Sequence, residues 1–190
     1  MDFQPPQPNG EEIMSAVVLP EMRPPGRRGF SIALSAVATN GIASLVEGRI
    51  GPAMAGPPLH IHPNSEETYY VLDGALVLYI GGEVTELKAG GVAFITRNTE
   101  HTWATPLDGG AHFLTLHTPG GYEEYHPAAL DLEEDLGKPP TADDLHNLAD
   151  RYDWSLAGPA RRLLPTGILA DAAIADAAAA EALKAVAANR

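Results

Sequence analysis

Between residues 30 and 118 the apolar positions come in short runs, many of them β-branched, broken by glycine and by Asp-Gly or Gly-Gly pairs. This pattern predicts strands rather than helices. The segments are 31–39, 41–50, 58–62, 68–72, 75–80, 83–87, 92–96, 101–105 and 112–118. Asp73-Gly74 lies between two of them and predicts a tight hairpin; Gly81-Gly82 and residues 88–91 predict further turns. Many short strands at such spacing indicate an all-β sandwich or barrel.

The flanks read differently. Residues 1–29 carry Pro5, Pro6, Pro8, Pro20, Pro24 and Pro25, which predicts an extended arm with one short strand over 14–19. Such an arm wraps its own barrel or crosses to a neighbour. Beyond Pro119, residues 122–136 are acidic and helix-prone, with Pro127 confined to the first turn. Thr141 and Asp144 have the spacing of a capping box, and Leu145, Leu148 and Tyr152 follow on one face. Alanine dominates 168–190 and predicts a terminal helix. The organisation is thus an arm (1–29), a barrel (30–120) and a helical extension (121–190).

Composition narrows the function. The 190 residues carry a formal net charge of −13, with only 12 Lys plus Arg. Phosphate backbones and anionic membranes need basic patches, so nucleic acid and membrane are excluded as expected partners. With no cysteine, any metal must be held by His, Asp or Glu. The start lacks a basic region ahead of an apolar run, and no stretch is long and apolar enough to span a bilayer; a cytoplasmic protein is expected.

The chemistry concentrates in 56–74. Side chains at i and i+2 of a strand share a face, so His60 and His62 converge while Ile61 turns away. Glu67 opens the next strand and can turn toward the same point. His112 and His117 differ by five and point to opposite faces, so one can face the barrel interior; core or surface packing is the simpler reading of each. His126 and His146 read as surface residues. The acidic groups Glu123-Glu124 and Glu133-Glu134-Asp135 read as a solvated helix face.

In this segment the chain resembles the cupin superfamily. Its first motif, His-x-His, three or four residues, Glu, six residues, Gly, is matched by His60, His62, Glu67 and Gly74. Glu66 fits the count less well. The second motif is matched from Gly90 to His101, with Thr96 in place of the family's proline and Asn98 in place of its glycine. Asparagine tolerates the left-handed conformation, so the turn can survive. More loosely, Ser44–Gly48, Thr118–Tyr125 and the stretch from 145 to 159 are similar to single-domain quercetin-dioxygenase-like cupins.

The resemblance implies a jelly-roll (double-stranded β-helix) barrel with C-terminal α-helices. It also implies one divalent transition metal (Fe, Mn, Ni, Co, Cu or Zn) held by His60, His62, Glu67 and His101. Three imidazoles and one carboxylate suit any of these ions. An enzyme is expected, with O₂ and a flavonol-like or other enol or hydroxy-carbonyl substrate as partners, Glu67 as catalytic base and a homodimer as the assembly. Glu47, Tyr69, Phe94 and Trp103 are candidate pocket residues, with packing or solvated positions as the alternatives. Leu45, Leu78, Ile80 and Phe94 are expected near the barrel mouth. A non-catalytic binding cupin and a metal-dependent isomerase, cyclase or decarboxylase remain open readings.

Overall fold

Alternating side chains build ten strands and two helices in the computed structural model, which describes residues 15–149, 151–163 and 169–171. The strands are β1 (Phe30–Leu34), β2 (Ser44–Ile50), β3 (Pro58–Ile61), β4 (Glu66–Ile80), β5 (Glu83–Lys88), β6 (Val92–Ile95), β7 (His101–Ala104), β8 (Ala111–Thr118), β9 (Ser155–Leu163) and β10 (Leu169–Asp171). The helices are α1 (Tyr125–Leu136) and α2 (Ala142–Ala149). Every strand pairing is antiparallel, in the order β1-β2-β8-β4-β7-β3-β9-β10, with β5 and β6 also on β4. The architecture is a jelly roll, the cupin fold, followed by short helices.

The long strand β4 joins the two layers. Its first half pairs with β8 and β6, its second half with β5 and β7. The expected hairpin at Asp73-Gly74 is therefore not formed; the chain runs on and changes sheets. Gly74 has φ +71°, and a Cβ there would stand 2.0 Å from the Gly110 carbonyl oxygen. Only glycine fits both conditions. The register slips between Val71 and Asp73. Inward residues accordingly switch from odd (Glu67, Tyr69, Val71) to even (Leu76, Leu78).

Between the layers Tyr69, Val71, Leu76, Leu78, Ile95, Trp103, Ala111 and Phe113 form the main core. Gly48 lets Phe113 lie flat on β2, since a Cβ would meet its ring at 2.4 Å. Fully burying such a side chain contributes about 2–3 kcal/mol. A second cluster, Tyr122, Tyr125, Leu148, Ala149 and Trp154, lies under the helices.

Several expectations change. The strand placed at 31–39 ends at Leu34, and a 3-10 turn follows at Val37–Thr39. Of the strand placed at 14–19, residues 15–19 are not in a strand, and Met14 lies outside the described residues. The terminal helix placed at 168–190 is replaced at its start by β10, which pairs with β9; the remainder lies outside the described residues. Strand β9 was not foreseen. The capping box is present: Thr141 accepts from the Asp144 N–H, and Asp144 accepts from the Thr141 N–H and hydroxyl. The end of the arm is tied to α1 of the same chain, with Arg27 on Asp131 and Glu134 and Arg28 on Glu133. These pairs are exposed, so each contributes little stability. Among the described residues no helix is long and apolar enough to cross a membrane.

Candidate metal centre

His60 comes from β3, His62 lies just beyond it, Glu67 is the second residue of β4 and His101 the first of β7. The ladder sets His60 directly opposite His101. Alternation turns His60 and His62 inward together and buries them. All four side chains are at most 3% exposed, and one donor atom from each falls within 4.8 Å of the others. Two donors on opposite sides of an ion with bonds of about 2.1 Å stand about 4.2 Å apart, so the cluster has the dimensions of a coordination sphere. Glu66 instead points outward to a paired contact with Arg97. The turn before β7 holds Asn98 at φ +62°, and its N–H donates to the His62 carbonyl at 2.9 Å. The asparagine thus keeps the left-handed turn and ties it to the His-x-His segment.

The imidazoles are oriented from behind. Nδ1 of His60 donates to the Pro58 carbonyl at 2.9 Å, Nδ1 of His101 to the Thr99 carbonyl at 2.8 Å, and Nδ1 of His62 to the Asp153 carbonyl. A carbonyl only accepts, so each Nδ1 carries hydrogen and each Nε2 turns a lone pair into the cluster. Glu67 Oε2 lies 2.8 Å from Nε2 of His101 and 3.5 Å from Nε2 of His62. Lone pairs this close repel unless a cation, a proton or a metal ion, lies between them. Burial pushes the Glu67 carboxyl up, but its neighbours, His117 foremost, outweigh it and hold it well below the ordinary value. Burial pushes His60 well below its ordinary value, and the neighbouring His101 and His62 add to this. A neutral His60 beside an ionised carboxylate is the state a divalent ion requires.

The segments after β8 roof the cluster. Tyr122 lies 4.4 Å from the His62 ring, centroid to centroid, and 4.6 Å from His117. Trp154 stacks on His60 at 5.6 Å, and Tyr125 stacks on Trp154 at 5.0 Å. Asp153 fastens this roof to the loop before β4: its carboxylate accepts from the Asn64 backbone and side-chain N–H groups and from the Ser65 hydroxyl. Glu123, expected on a solvated face, is buried and accepts from the backbone N–H groups of Ala36 and Gly121.

Not every expected pocket residue reaches the centre. Glu47 faces away from the core and pairs with Arg23, Arg49 and His112; the His112 hydrogen bond first, and Arg49 after it, hold its carboxyl below the ordinary value. Phe94 is 61% exposed, because its phase on β6 is opposite to that of buried Ile95. Neither lines the site. Leu78 is core rather than mouth. Tyr69 and Trp103 are buried in the main core beneath the cluster. His126 is half-buried rather than freely exposed: it stacks on Phe30 at 4.6 Å, and desolvation pushes its pKa down to about 4. His117, read as simple packing, is fully buried with Nε2 3.2 Å from Glu67 Oε1. The alternation that buries Ala111, Phe113 and Thr115 was the signal that could have placed it.

Residues 47–117, which contain His60, His62, Glu67, His101 and His117, match the cupin domain family. Among solved structures, KdgF from Halomonas sp. is 19% identical over 51% of this chain and 86% of its own, with a TM-score of 0.43. A cupin protein from Bacteroides fragilis is 30% identical over 41% of this chain and 66% of its own, with a TM-score of 0.39. A sugar phosphate isomerase of the cupin superfamily from Silicibacter pomeroyi is 24% identical over 50% and 65%, with a TM-score of 0.41. No curated protein matches the chain.

Proposed function

We propose that this cupin-fold protein is a divalent-metal-dependent enzyme acting on a small enol or hydroxy-carbonyl compound, with oxygen-dependent cleavage of a flavonol-like substrate as its leading reaction. The observation that carries the metal reading is the buried set of three Nε2 lone pairs and one carboxylate, each imidazole fixed through Nδ1 by a carbonyl. The oxygen-dependent reaction rests on the motif resemblance. A bound ion would supply Lewis acidity and a docking point for substrate oxygens. With one carboxylate and neutral imidazoles the loaded centre carries a net charge near +1, which attracts an enolate even in an acidic protein. Tyr122 and Trp154 close over the donors and keep water away from the centre. Glu67, the carboxylate of the set, is the proposed acceptor of a proton from a substrate hydroxyl.

The test is elemental analysis of the full-length protein purified without added metal, beside a His60→Ala, His101→Ala protein, followed by oxygen-electrode assays with flavonols and simpler enols. About one equivalent of a transition metal, lost in the double variant, is expected, with oxygen consumed in step with substrate. Turnover without oxygen uptake would redirect the reaction to isomerisation, cyclisation or decarboxylation. No metal, and none taken up on addition, would overturn the reading.

One observation favours a second reading, a non-catalytic metal- or metabolite-binding protein. Tyr122, Trp154 and Asp153 cover the donors so closely that each is buried. Tight ligand binding with no turnover of any candidate substrate would establish it.

A further inference from the structure

His117 is a buried imidazole outside the four-residue cluster, and its near polar neighbour is Glu67. It stands directly across from Glu67 in the β4–β8 register, so both side chains leave the sheet on the same face. The two carboxylate oxygens of Glu67 face different neighbours. Oε2 is turned to His101 and His62, at 2.8 and 3.5 Å; Oε1 is turned away from them, 3.2 Å from His117 Nε2. This close approach lacks straight hydrogen-bond geometry, and among the described residues neither ring nitrogen of His117 has another hydrogen-bond partner. One face of the ring is covered by Tyr122, and His62 abuts it edge-on. Unlike His60, His62 and His101, it has no carbonyl behind Nδ1 to fix it as a donor. It also lies outside the set of four whose donor atoms are mutually close.

We infer that His117 is the positioning residue for Glu67: it engages Oε1, so that Glu67 meets a bound ion through Oε2 alone. This rests on the metal reading above. The consequence is chemical. A carboxylate free to swing binds an ion through both oxygens and occupies a position that a substrate oxygen needs. Held at Oε1, it takes one position and leaves the other open. Groups that orient ligands in this way typically change metal affinity by about 10- to 100-fold when removed.

The experiment compares full-length wild type, His117→Phe and His117→Gln. Phenylalanine keeps volume without a donor; glutamine keeps an N–H at similar reach. Cobalt(II) affinity is measured against a competing chelator, and the visible spectrum of the cobalt-loaded protein is recorded. Imidazoles on copper(II) are counted by pulsed EPR, and melting without metal is followed by circular dichroism. Cobalt binding about 10- to 100-fold weaker in His117→Phe, a weaker d–d band as the coordination number rises, and recovery of both in His117→Gln are expected. Three imidazoles should be counted in all three proteins. Wild-type affinity and spectrum in His117→Phe would overturn the inference while leaving the metal site standing. So would equal losses in both variants, or a fourth imidazole in wild type that disappears in His117→Gln and marks His117 as a ligand. If His117→Phe does not melt cooperatively, His117→Leu takes its place and is read against His117→Gln and wild type in the same way. A wild-type protein that binds no metal would overturn both readings.

Discussion

At the scale of single residues, the face of the strand on which a histidine stands sets what it can do. His60, His62, Glu67 and His101 stand out by spacing alone, because two-residue periodicity fixes which side chains share a face. The other histidines illustrate the limit. His112 and His117 lie five apart on one strand: one pairs with Glu47 on the outer face, the other is sealed beside Glu67. His126 sits on Phe30, and its titration gives a test. Its pKa, about 4 when folded, is near 6.5 when unfolded. Below pH 6.5 the unfolded chain takes the proton first, so stability is full above that value and falls as pH drops toward 4. Buried His60 acts in the same direction. The depressed Glu67 carboxyl acts lower, where the unfolded carboxylate begins to protonate. Urea midpoints at pH 7 and 4.5 should differ less in His126→Phe than in wild type; an identical difference would show that His126 is solvated.

At the scale of elements, the strands were visible and their connections were not. An Asp-Gly pair between apolar runs ordinarily signals a hairpin. Here the same pair lets β4 cross from one sheet to the other, since the partner strands β8, β7, β5 and β6 come from elsewhere in the chain. Strand β9 was missed because Gly158 and Pro159 read as breakers. The segment 153–156 nevertheless supplies the carbonyl behind His62 and the Trp154 ring over His60. Replacing Asp153 with alanine removes the carboxylate that fastens this segment to Asn64 and Ser65. Asp153→Ala is expected to weaken metal binding by about tenfold through loss of His62 orientation. Competition titration with a chelator checks this, and an unchanged affinity would show that the backbone carbonyl holds its place unaided.

At the scale of the whole molecule, metal and fold are expected to be coupled. The donors come from three strands and a loop, and one of them is oriented by the C-terminal segment, so no unfolded chain can assemble the set. An ion that binds only the folded state stabilises it by about 2.7 kcal/mol at a free concentration 100 times its Kd. Loading should therefore raise Tm and chelation lower it, read by circular dichroism on the same preparation. A Tm insensitive to metal would mean the donors do not act as one site. The net charge of −13 spreads repulsion over the surface without deciding fold.

Strand periodicity, turn residues and the spacing of His60, His62, Glu67 and His101 came from the sequence by itself, because those relations are local: each is set by the 2.0-residue repeat of an extended chain. The fold class followed from the number and shortness of the strands. Which strands pair, where β4 changes sheets, that His117 joins Glu67 and that residues 122–125 and 153–154 close over the centre were decided only in three dimensions. Those contacts link residues dozens of positions apart, and they depend on register and burial. A sequence pattern constrains both only after the partner strand is known.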